Sequence, residues 1–86
     1  MDINILIAIV KKKLTKEIRF EKIEIQDKSF LHKNHSGHQE GKFHLKLIVE
    51  SKELKKIDKI QRYKKIYKIL NEEMNKNIHS LQILIT

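Results

Sequence analysis

The stretch from Asp58 to Ile85 sets two apolar periods back to back, and that junction narrows the folds open to the chain. Asp58 offers a side-chain acceptor at a helix start, and Gln61 sits where a capping-box partner belongs. Ile60, Tyr63, Tyr67, Leu70 and Met74 then recur at helical spacing, with Ile66 and Ile69 flanking, and Glu72 and Lys76 form a favourable i,i+4 pair. The segment Asn75-Lys76-Asn77 predicts a tight exit, with Asn75 or Asn77 in the left-handed conformation that otherwise calls for glycine. From Ile78 the period drops to two, which predicts a strand to Ile85 with His79, Leu81, Ile83 and Ile85 on one face.

The residues upstream supply the sheet that such a strand needs. Asp2 can cap a first helix whose stripe runs Ile3, Leu6, Ile7, Val10 and Leu14, continued by Ile18. The β-branched content of Ile3 to Val10 favours a strand, but the helical spacing persists through the lysine-rich second half, where no alternation survives. From Phe20 to Asp27 the pattern becomes strand-like, with Ile23 and Ile25 inward and Lys22, Glu24 and Gln26 outward. Phe43 to Glu50 repeats it with Phe43, Leu45, Leu47 and Val49 inward, so a hairpin is the economical reading. Lys28 to Lys42 forms the connecting loop and holds both glycines and three of the five histidines. Ser51 to Ile57 reads as a short helical turn, with Leu54 and Ile57 three apart.

The predicted order is therefore α, β, β, short α, α, β. Residues 1–86 form one α+β domain, a three-stranded mixed sheet with helices packed on one face. A right-handed crossover from the second strand to the third makes those two parallel if they are neighbours. His79 would then lie at the edge where the histidine-containing loop enters the second strand. His32, His35, His38 and His44 are all candidates to share a ligand with it. The plainer reading stands beside this one: a lone histidine at a strand end is more often a partly buried polar residue satisfied by a backbone carbonyl, and loop histidines are usually solvated.

Composition limits the chemistry. The 86 residues are 40% apolar, enough for one modest core. The chain contains no cysteine, which removes disulfides, a thiolate nucleophile and any thiolate metal ligand of its own. A zinc site would need histidine or carboxylate ligands throughout, and His32-x-x-His35-x-x-His38 matches no firm zinc geometry. No serine, histidine and acid arrangement and no phosphate-cradling glycine motif is present, so no catalytic residues are assigned and no enzymatic activity is expected. Ile3 to Val10 is far shorter than a membrane span and lacks signal-peptide features, so a soluble, cytoplasmic protein is expected.

Four short motifs, in order and spacing, resemble the BolA family over nearly the whole chain. They are Asp27-Lys-Ser29-x-x-His32, His44-Leu-Lys-Leu-x-Val-x-Ser51, Arg62-Tyr-Lys-x-x-Tyr67, and Glu72-Glu73 followed by Ile78-His79-Ser80-Leu81. The resemblance implies an αββααβ fold similar to the type II KH fold. It implies a monothiol glutaredoxin as partner, a monomer that becomes a heterodimer, and a bridging two-iron two-sulfur cluster. His79 then corresponds to the family's C-terminal ligand and His32 to its loop ligand, with His35 second. The thiolates would come from the glutaredoxin and its glutathione, since iron takes imidazole as well as thiolate. Imidazole ligation should raise the cluster's potential and make it acid-sensitive. Tyr63 and Lys64 depart from the family's His and Arg, Leu45 from its Phe, and the loop is longer than in some members. The loop ligand is accordingly open.

The net charge of +8 raises nucleic acid as the competing partner. Lys52 to Lys68 holds eight basic residues against Glu53 and Asp58, or +6 of that total. A helix-turn-helix docking on DNA through Lys55, Lys56, Lys59, Arg62, Lys64 and Lys65 is physically possible, and BolA proteins are also described as transcription regulators. The KH-type clamp needs a GxxG loop, and no glycine follows Gly41. The excess is nearly all lysine, which a compositional bias or a solvated face also explains.

Overall fold

A computed structural model describes residues 2–29 and 42–86. Its elements are α1 (Ile3–Glu17), β1 (Lys22–Asp27), β2 (Phe43–Glu50), α2 (Lys52–Lys55), α3 (Lys59–Ile69), α4 (Asn71–Lys76) and β3 (Ile78–Ile85). The sheet order is β1-β2-β3, with β1 antiparallel and β3 parallel to β2. This is the expected α+β fold, and β2 and β3 keep their expected bounds. β1 begins two positions later than expected, although the Glu21 N–H still reaches the Glu50 carbonyl at the sheet margin.

α1, α2 and α3 each start where a side chain can take up a free N–H, whereas α4 follows directly from Leu70 without a side-chain cap. The Asn4 N–H donates to Asp2, the Leu54 N–H to Ser51 and the Gln61 N–H to Asp58. Helix α1 buries Leu6, Val10 and Leu14, and Ile18 continues the row into the turn. These meet Leu45, Leu47 and Val49 of β2, with Leu54, Ile66, Leu70, Ile78 and Leu81 closing the core. Ser51, fully buried, also donates its hydroxyl to the Arg19 carbonyl at 2.7 Å and so ties the end of α1 to the start of α2.

The helical stripe after Asp58 differs from the expected one. Ile66 and Leu70 are buried, whereas Ile60 is 66% exposed and Tyr67 39% exposed. Arg62 sets the phase. Its Nε–H donates to the carbonyls of Leu54 at 2.8 Å and Ile57 at 2.9 Å, and its Nη2 to that of Lys55 at 3.3 Å. With Arg62 turned onto the end of α2, positions four and eight residues on share its face, and these are Ile66 and Leu70. Ile57, three residues on from buried Leu54, is exposed just beyond the end of α2, where Arg62 holds its carbonyl.

The single expected helix is also broken. Leu70, at φ −97° and ψ 16°, ends α3 and begins α4. Asn77 leaves α4 at φ −127° and ψ −20°, not in the left-handed region. Its N–H donates to the Glu73 carbonyl and its own carbonyl accepts from Phe43, so sheet pairing begins at once and no reversal is needed.

Candidate functional site

β3 enters the sheet through an irregularity. Phe43 pairs with Ile78 but His44 pairs with Ser80, so one extra residue of β3 is accommodated opposite the start of β2. Ile78 and Leu81 consequently both face the core, while His79 and Ser80 are exposed. Simple alternation had put His79 on the Leu81 face; the bulge turns it to the other side of the sheet.

There it meets His44. The two imidazole rings lie 4.8 Å apart at a 56° tilt. His44 is only 7% exposed, and its Nδ1 is 2.6 Å from the Ser80 hydroxyl. The pair is one hydrogen bond whichever group donates. The backbone of His44 is fixed as well: its N–H donates to the Ser29 hydroxyl, and the Ser29 N–H donates to the Asp27 carboxylate. A buried, anchored ring therefore backs a solvent-facing one. The parallel register expected from the crossover is what joins residues so distant in sequence.

Of the residues singled out from the sequence, His79 and His44 are brought together. His32, His35 and His38 lie outside the described residues. Among the described residues no group of three or more His, Asp or Glu side chains is arranged to hold a metal ion. Lys55, Lys56, Lys59 and Lys64 are exposed. Lys65 is partly buried and lines a groove of about 490 Å³ between α1 and α3 with Lys13, Lys16 and Lys68. Arg62 is occupied by the three carbonyls described above. Ser80 was the member missed by sequence reasoning; its position beside His79 was the available signal, but only the bulge puts both on one face.

The remaining motif residues hold the scaffold. The Tyr67 hydroxyl donates to the Leu81 carbonyl at 3.2 Å. Glu73, buried in α4, receives Lys13 of α1 at 2.6 Å, and Glu72 receives it at 3.4 Å. The hydrogen bond to Glu73 raises the Lys13 pKa above the ordinary 10.5. The same lysine lowers the Glu72 pKa below 4.5, with Lys76 helping.

The family model described as BolA-like protein matches residues 14–86. The chain belongs to the BolA family. A relative from Haemophilus influenzae named DNA-binding transcriptional regulator BolA is 36% identical over 75 residues, covering 87% of this chain and 70% of that protein. Protein BOLA1, chloroplastic, of Arabidopsis thaliana is 27% identical over 78 residues, and the match covers 87% of this chain and 49% of that one. Among solved structures, the BolA domain of SufE1 from Arabidopsis thaliana superposes with a TM-score of 0.76 at 26% identity, over 92% of this chain and 87% of that one. The motifs of this BolA-family chain thus divide into a scaffold set and a histidine set. No helix among the described residues is long and apolar enough to cross a membrane.

Proposed function

We propose that this chain is the histidine-bearing half of a two-iron two-sulfur site completed by a monothiol glutaredoxin. His79 is one ligand, and a hairpin-loop histidine, His32 or His35, is the other. The observation that carries the reading is the backing of exposed His79 by buried His44, itself held by Ser80. An exposed imidazole against a fixed ring has less freedom to lose when a metal arrives. The donor set fits: imidazole is an accepted iron ligand, and a chain without cysteine leaves the thiolates to a partner and its glutathione. When bound, the cluster supplies iron and an electron-accepting centre. This chain's part is to present His79 and to shape the face against which the partner closes.

The test is to mix the chain with a monothiol glutaredoxin carrying its cluster and record visible absorption and circular dichroism. Complex formation should change the spectrum, and His79→Ala should abolish the change. An unchanged response in that variant sinks the ligand assignment. His32→Ala and His35→Ala then choose the second ligand.

The second reading, regulation through DNA, is favoured by the name of the Haemophilus influenzae relative and by the exposure of Lys55, Lys56, Lys59 and Lys64. With Arg62 committed to carbonyls, contacts would be Coulombic and phosphate-directed. Duplex affinity should fall steeply with salt and fall again when Lys55, Lys56 and Lys59 are each changed to Glu. Salt-independent binding excludes this reading.

A further inference from the structure

The two edges of the sheet are not alike. β1 carries Lys22, Glu24 and Asp27, the kind of charge that discourages strand addition, whereas β3, Ile78 to Ile85, carries no Asp, Glu, Lys or Arg. The Thr86 N–H donates to the Val49 carbonyl, so by the two-residue alternation Ser80, Gln82 and Leu84 also turn their backbone groups to β2. Leu81, Ile83 and Ile85 then turn theirs outward. The Tyr67 bond to the Leu81 carbonyl agrees, because that oxygen is met from outside the sheet. Ile83 and Ile85 are left presenting backbone donors and acceptors at the edge.

That edge has an apolar margin on each side. Ile60, Lys64 and Tyr67 lie on one face of α3, and Leu84, 45% exposed, lies on the other side of the strand. Tyr67 ties this stripe to the strand at the Leu81 carbonyl.

We infer that the β3 edge is a docking site for an extended, acidic-flanked segment of another protein, added as a fourth strand. Charge selects this occupant. Lys64 is exposed on the α3 face that carries Ile60 and Tyr67, and two chains of net +8 repel one another, which disfavours a second copy on the same edge. The inference is independent of the cluster reading and needs no metal.

The experiment is residue-resolved amide hydrogen exchange on the intact chain, alone and with the acetylated, amidated peptide Glu-Ile-Thr-Val-Thr-Ile-Glu. In the free chain Gln82 and Leu84 should be protected while Ile83 and Ile85 exchange rapidly. The peptide should slow Ile83 and Ile85 by roughly tenfold or more. The same peptide with lysine at both ends should not. Ile83→Pro removes an outward donor while sparing every bond to β2, and should abolish the effect. Should that variant fail to fold, Lys64→Glu, a change at an exposed position, should weaken peptide binding roughly tenfold. Three results overturn the inference: Ile83 and Ile85 already protected in the free chain, protection that grows with protein concentration, or equal protection by the acidic and basic peptides.

Discussion

Replacing Arg62 by methionine separates a structural arginine from a phosphate-binding one. Methionine keeps much of the stem and removes the fork that holds the carbonyls of Leu54, Lys55 and Ile57. A hydrogen bond to a charged donor contributes about 1.5–3 kcal/mol net. The Nε–H is shared between two carbonyls and counts once. The Nη2 contact, at 3.3 Å and solvent-facing, adds little. For a half-buried side chain this gives a loss of about 2 kcal/mol. At about 1 kcal/mol/M for a small domain, the urea midpoint should fall by about 2 M, with a melting temperature about 10 °C lower. Lysine should restore less than half, because one ammonium cannot reproduce a fork directed at three carbonyls. A midpoint within about 0.3 M of the parent would refute the structural assignment. If that variant also lost duplex affinity, Arg62 would belong with the lysines.

The Lys13 ion pairs should shape both limbs of the pH profile. The raised lysine pKa contributes stability that is complete below pH 10.5 and lost as pH rises through its folded value. The lowered Glu72 pKa contributes stability present above pH 4.5 and lost as pH falls through its folded value. Lys13→Met should therefore flatten urea midpoints at both extremes, and Glu72→Gln chiefly the acid limb, since Glu73 remains as the larger cause of the raised lysine pKa; parallel profiles would exclude the coupling. Asn77→Gly should give no stabilisation in the same assay, since φ of −127° is open to any residue and glycine adds only unfolded-state entropy. A gain would mean that the exit is left-handed after all.

Where one face of an element alone decides its period, the sequence was sufficient. Leu45, Leu47 and Val49 fixed β2 by alternating with His44, Lys46 and Glu50, and Leu6, Val10 and Leu14 fixed α1 once the row ran on into the lysine-rich second half, where the opposite face is polar. α3 was different. Ile60, Tyr63, Ile66, Tyr67, Ile69 and Leu70 together offer two adjoining stripes, and apolar spacing cannot rank them. Arg62 ranks them through bonds to another element, information that local periodicity does not contain. The histidines show the same division. Topology was legible and correctly put His79 beside the start of β2, but the face it occupies depends on one bulge residue. Without that bulge, alternation would bury His79 beside Leu81, and Ser80 alone would face outward. The site thus depends on a register shift between Asn77, already bonded to Phe43, and Leu81, already bonded by Tyr67: both neighbours are held, so the extra residue has to be taken up between them.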